Sequence, residues 1–255
     1  MGMKGCQMKT IFHDDFYRVY TGDPAAAAGR MESIVKAVAE HVTWVPATPA
    51  SRRDIAAVHI EDHIQAVIDQ GLFDIAALAA GGAIQAGQIG LSEPCFALIR
   101  PPGHHASAAS CWGFCFFNNM AIALTVLHRQ QHIETALVLD IDLHYGDGTV
   151  NILGKRSWVE VVNCEDHNRN RYLEDVAKVL DTCRADIIGI SAGFDNHIDD
   201  WGGLLRTVDY EKIGRLVRST AKQNSSGYFA ILEGGYNHEV LGDNVLALIR
   251  GMQGF

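Results

Sequence analysis

No run in this 255-residue chain approaches the roughly 18 apolar residues of a membrane-spanning helix, so no segment is expected to cross a bilayer. Paired cysteine spacing is also missing. Cys6, Cys95, Cys111, Cys115, Cys164 and Cys183 form no CxxC, and no secretory signal is recognisable, so the six are expected to be buried thiols in a reducing cytoplasm. The opening MGMKGCQMKT is too poor in apolar residues for a signal peptide, and Cys6 stands where a myristoylation signal has Ser or Thr. Positive charge is scarce, with 21 Lys and Arg against 30 Asp and Glu, a formal charge of −9. That deficit argues against direct nucleic-acid binding and suits a cationic substrate instead. Linkers, internal repeats and low-complexity tracts are absent, and residues 1–255 are read as one domain.

What the chain does have is hydrophobic residues at 48% and charged ones at 20%, as in a soluble globular protein. Short, mostly continuous apolar runs read as strands buried on both faces: Cys95–Ile99, Ala136–Leu139, Val159–Val162, Asp186–Ser191 and Tyr228–Leu232. Helical patterns alternate with them over Arg30–Glu40, His63–Gln70, Ile75–Gln88, Asn118–Arg129, Tyr172–Cys183, Tyr210–Lys222 and Val240–Gly251. This alternation predicts an α/β fold of three layers, αβα, around a central, mostly parallel sheet.

Polar clusters follow the strands: RPPGHH after CFALI, DIDLHYGDG after ALVL, AGFDNHIDD after DIIGIS and EGGYN after YFAIL. Open parallel sheets bind ligands beyond the carboxyl ends of their strands, so the four clusters are expected on one rim. Histidine is abundant there, in a chain with twelve. Asp142 and His144 are two residues apart, so at an extended strand end they face the same side and can grip one ion. Asp195 ends another strand, beside Gly193, where the backbone can come close. Two aspartates and one histidine leave an open coordination position, as a catalytic zinc site requires; the set also admits iron(II).

In order along residues 100–237, RPPGHHA, GFCFFNN, DIDLHYGDGT, SAGFD and EGGYN resemble the zinc-dependent histone deacetylase and acetylpolyamine amidohydrolase superfamily, of the arginase/deacetylase fold. The Gly29–Met31 region and VHIEDHI agree more loosely. The resemblance implies that Asp142, His144 and Asp195 bind the catalytic zinc. It makes His104 and His105 the proton-transfer pair, oriented by Asp140 and Asp147 respectively. A carboxylate on one ring nitrogen fixes the tautomer and raises the basicity of the other. His105 is then the expected general base and later acid and His104 chiefly electrostatic, a division between the two that the sequence alone leaves open, with Tyr236 the donor to the oxyanion. Gly113 and Phe114 resemble one wall of an acyl-lysine tunnel, with Tyr172 either its opposite wall or packed in the core. The family also implies a structural potassium ion held by Asp140, Asp142 and the His144 carbonyl, and an acetate exit lined by Arg30; a surface salt bridge is the alternative for Arg30.

Three features depart from the family pattern: Tyr145 in place of a second histidine, Trp201 near an expected proline, and a short chain, which implies trimmed loops. A binuclear manganese ureohydrolase of the same fold would need acidic residues where Gly146 and Gly193 stand. A catalytically silent acyl-lysine binding module would be favoured by a missing base or tyrosine, yet every such position is filled. The expected partner is an acylated amine, either acetyl-lysine in a peptide or an acetylpolyamine; the sequence leaves that choice, and the oligomeric state, open.

Overall fold

The computed structural model describes residues 7–254, so Cys6 lies outside the described residues. Strands β1 (Met8–Phe12), β2 (Val42–Pro46), β3 (Cys95–Ala97), β4 (Ala136–Asp140), β5 (Val159–Asn163), β6 (Ile187–Ala192) and β7 (Gly227–Leu232) form one sheet in the order β2-β1-β3-β7-β6-β4-β5. Every pairing is parallel. Helices α1 (Arg30–Val38), α2 (Arg52–Ile55), α3 (Glu61–Asp69), α4 (Phe73–Gly90), α5 (Asn119–Arg129), α6 (Asp147–Leu153), α7 (Arg169–Thr182), α8 (Thr207–Asn224) and α9 (His238–Gln253), with short 3-10 helices at Asp14–Tyr17 and Pro24–Ala26, complete the described elements. They pack as two groups, α4 with α5 and α1 with α9, α8 and α7, giving the three-layer architecture expected.

All residues of β4 and β6 are buried, which is why these strands read as unbroken apolar runs. The sequence pattern gave no sign of β1 or β2. Lys9 and Thr10 interrupt β1, and β2 is an edge strand with exposed Thr43, Trp44 and Pro46, so neither carries the continuous signal. Helix α6 is likewise short and was not anticipated; it sets Asp147 in its first turn.

Strands β3, β7, β6 and β4 are consecutive neighbours in the sheet. The four polar clusters that follow them therefore sit side by side at the carboxyl ends of the central strands. No described helix is long and apolar enough to cross a membrane.

Candidate metal centre

Asp142, His144 and Asp195 each present a ligand atom within 4.8 Å of the others. Asp142 and Asp195 are 3% and 0% exposed, so two carboxylates are buried against each other. His144 Nδ1 lies 3.2 Å from Asp142 Oδ1 and 2.9 Å from Asp195 Oδ2. Backbone amides orient the carboxylates: Leu143 N–H donates to Asp195 Oδ1 at 3.0 Å and Gly234 N–H to Asp142 Oδ2 at 2.9 Å. Asp195 Oδ2 is buried without a properly aligned hydrogen-bond donor, despite the nearby imidazole. That orphaned oxygen points into the cluster, which is what a cation-binding site requires and a purely structural one does not. The flanking Asp142 and Asp195 carboxylates push the His144 imidazole up to about 10, and burial together with the Asp142 charge pushes Asp195 up to about 6. In both cases the site is drawing in positive charge, which a divalent cation supplies more fully than one proton.

The glycines beside the ligands leave no room for further acids. A Cβ at Gly193 would fall 2.1 Å from Asp142 Oδ2, and one at Gly146 would fall 2.4 Å from Asp140 Oδ2. A second set of carboxylate ligands at these positions is therefore excluded sterically.

The histidine pair adjoins this cluster, ring centroids 4.0 Å apart. His104 Nδ1–H donates to Asp140 Oδ2 at 3.1 Å, and His105 Nδ1–H to Asp147 Oδ1 at 2.8 Å. Their environments diverge. His104 is fully buried, but Asp142 and Asp140 outweigh that desolvation and raise it well above an ordinary imidazole. His105 is lowered to about 4, by burial first and by the adjacent His104 second. The two rings are thus pushed in opposite directions, His104 toward its protonated form and His105 toward its neutral one.

Glu233, which sequence reasoning passed over, fixes the turn that carries the pair. Its Oε2 accepts from the Gly103 N–H at 2.7 Å and the His104 N–H at 3.2 Å, and Ser191 Oγ lies 3.4 Å from Oε1. Burial raises this carboxyl to about 7. The only sequence signal was an acid ending an apolar strand. VHIEDHI acts from the other side: the Asn118 N–H donates to His59 Nε2, so His59 donates from Nδ1 to the Ser107 carbonyl at 3.0 Å. His63 Nε2 donates to the Phe116 carbonyl at 2.8 Å.

Tyr236 lies at the mouth, its backbone N–H and that of Asn237 each donating to Asp200 Oδ2 at 2.8 Å. Burial, then Asp142 and Asp195, raise its hydroxyl, which keeps it a donor at neutral pH. Phe114 meets its ring edge-on at 5.8 Å. Gly113 (φ 58°) and Phe114 (φ 67°) are consecutive left-handed residues, which at Phe114 costs about 1–3 kcal/mol that the surrounding contacts must offset. Arg30 is fully buried, donating to the carbonyls of Gly235 at 2.8 Å and Glu233 at 2.6 Å, with its guanidinium 5.7 Å from the Tyr236 ring centroid. The surface salt bridge considered for Arg30 is therefore not formed.

The structure does not bring Tyr172 to the mouth. It is 1% exposed, its hydroxyl donating to the Ile141 carbonyl at 3.3 Å within the core. The reason is its position in the first turn of α7, on the face that packs inward with Leu173 and Val176. The five described cysteines are free thiols, and Cys111 is only partly buried rather than in the core.

A central parallel sheet with a two-aspartate, one-histidine cluster and a carboxylate-bound histidine pair at its rim defines an α/β protein with a candidate metal site. The family model for the histone deacetylase domain matches residues 25–173 and 163–252. A probable deacetylase of Archaeoglobus fulgidus is 32% identical over an alignment of 315 positions, covering 96% of this chain and 86% of the relative. A histone deacetylase-like amidohydrolase of Pseudomonas aeruginosa is 26% identical, covering 91% and 79%. The crystal structure of the HDA15 HD domain has the same fold, with TM-score 0.84 at 20% identity over 98% of this chain and 90% of that one. The chain belongs to the histone deacetylase domain family. Because the first alignment runs to 315 positions against 255 residues, the archaeal relative carries segments that this chain lacks.

Proposed function

We propose that the protein is a metal-dependent amide hydrolase that removes an acetyl or related acyl group from an amine, such as acetyl-lysine in a peptide or an acetylpolyamine. The observation that carries this reading is the convergence of Asp142, His144 and Asp195 on one point beside two carboxylate-bound imidazoles. Zinc is the proposed ion, with iron(II) an alternative for the same ligands. When bound, such an ion polarises a carbonyl oxygen and makes water more acidic. His105, neutral and held by Asp147, takes the proton from the attacking water through Nε2 and returns it to the leaving amine. His104 stays protonated over Asp140 and offsets developing negative charge, while Tyr236 donates its hydroxyl to the oxyanion. Potassium is proposed against Asp140, Asp142 and the His144 carbonyl, because Asp140, Asp142, Asp195 and Glu233 place four buried carboxylates around so few imidazoles. Acetate is proposed to leave past Arg30. Residues 1–255 are proposed to act as one catalytic domain in a reducing cytoplasm.

Release of free amine from acetyl-lysine peptides and acetylated polyamines by the zinc-loaded protein tests this reading. Turnover should favour small cationic acylamines and peptides over acetyl-lysines within folded protein; no release from any of them sinks it. The pH profile follows from His105. A base lowered to about 4 stays unprotonated well below the ordinary imidazole value, so the acidic limb of kcat/KM should lie below pH 6. Loss of kcat/KM on falling from pH 7.5 to 6.5, with an ordinary imidazole pKa of about 6.5, would assign the base elsewhere.

A further inference from the structure

A cavity of about 490 Å³, within the range of small-molecule sites, lies where α5 and α6 end and β5 begins. The Trp158 carbonyl beside it accepts from the Ala136 N–H that opens β4, at 2.9 Å, so the cavity sits at the amino ends of β4 and β5. The metal centre occupies the opposite, carboxyl end of the sheet. Val58, Ala108, Ile152 and Leu153 give the cavity apolar surface, while His128, Arg129 and Arg156 give it cations. No Asp or Glu lines it. His128 lies flat on Trp158, ring centroids 4.2 Å apart and planes 10° apart, which holds this part of the wall in place. Neither Arg129 nor Arg156 makes a side-chain hydrogen bond or ion pair among the described residues. Other arginines of this chain find acids, Arg52 with Glu61, Arg169 with Asp209 and Arg171 with Asp166. In a chain of formal charge −9, two unpaired guanidiniums on one acid-free cavity need a cause. The ends of α5 and α6 supply part of it, since a helix C-terminus carries about half a negative charge and favours cations in its last turn. Both ends together offset about one positive charge where the guanidiniums supply two, so the cavity keeps roughly one.

We propose that this cavity is a second ligand site, apart from the metal centre, and that it takes an organic carboxylate with an apolar body. The planar guanidinium fork of Arg129 or Arg156 matches the two oxygens of a carboxylate. One negative charge matches the charge left after the helix ends are counted, whereas a phosphate dianion exceeds it. The apolar body covers Val58, Ala108, Ile152 and Leu153, which a bare inorganic anion leaves wet. The site stands independently of the amide-hydrolase reading, because its occupancy is read without turnover.

Isothermal titration of the full chain with benzoate tests this, with benzamide as the neutral probe and inorganic phosphate as the anion without a body. Benzoate should bind saturably and more tightly than either. Arg129→Gln and Arg156→Gln should each weaken it about tenfold, the loss of one charge-assisted hydrogen bond. Thr125→Glu, which sets a carboxylate among the cavity's cations from the middle of α5, should weaken it as much and stands in where an arginine variant does not fold. Asp195→Ala separates the two ends of the sheet: benzoate binding that persists there supports the cavity, and binding that vanishes assigns benzoate to the metal centre and overturns the proposal. It is also overturned by no saturable binding up to about 20 mM, by benzamide or phosphate binding as tightly as benzoate, or by a change of less than about threefold in either arginine variant.

Discussion

Asp195→Ala is expected to abolish both metal content and activity. The substitution removes one of three converging ligands, including the buried oxygen that no hydrogen bond satisfies. Even groups that merely hold a ligand in place are worth about 10–100-fold in metal affinity, so losing the ligand itself should cost more. Elemental analysis after gel filtration reads this directly, and full occupancy in the variant would remove Asp195 from the ligand set. Stability gives an independent sign. In metal-free protein Asp195 is raised to about 6 by burial and by Asp142, above its unfolded value of about 4. Its contribution is therefore present at low pH and lost as pH rises through about 6. At pH 7.5 the metal-free variant should melt above metal-free wild type, because a buried, repelled carboxylate has gone. With zinc added the order should reverse, since only wild type gains the binding free energy. Asp195→Asn, which keeps the acceptor for the Leu143 amide, separates charge from packing.

Tyr236→Phe should lower kcat about 10²–10³-fold with a much smaller change in KM. The hydroxyl is useful mainly once the carbonyl oxygen becomes an oxyanion, so its removal acts on the transition state rather than on binding. The phenyl ring keeps its stack on Trp201 and its edge contact with Phe114, and the Asp200 anchor is to backbone amides that the substitution leaves alone. Metal content and melting temperature should accordingly match wild type. Activity retained within a few-fold would reduce Tyr236 to a wall residue and leave oxyanion stabilisation to the metal and the cationic His104.

The candidate site was legible early because its residues are written in short, local patterns. One residue of spacing marks Asp142 and His144 as a pair, although they lie on the bend that follows β4 rather than in extended strand, and adjacent His104 and His105 on a proline-glycine turn need no long-range information to be noticed. Glu233, Trp112 and Trp201 were not legible as site residues. Each acts through a contact across the fold: Glu233 with the amides of Gly103 and His104, Trp112 with Asp147, Trp201 with Tyr236. No spacing in the chain announces such pairs.

The same division runs through the fold. Continuous apolar runs determined β4, β6 and β7 as buried strands, and alternation with helices determined a parallel sheet, because hydrophobic periodicity is a property of neighbours in sequence. Strand order is a property of neighbours in space. Only the folded chain set β3, β7, β6 and β4 side by side, and so turned four scattered polar clusters into one rim. Strand β1, interrupted by Lys9 and Thr10, and the edge strand β2, with Thr43, Trp44 and Pro46 exposed, left too weak a pattern to be seen. Tyr172 and Arg30 show the limit most plainly: whether a tyrosine lines a mouth or fills a core, and whether an arginine meets solvent or buried carbonyls, depends on what the rest of the chain packs against it. The sequence by itself determined which groups could bind a metal and move a proton; the tertiary structure decided which walls surround them, because burial and opposition across a cleft exist only after distant segments have met.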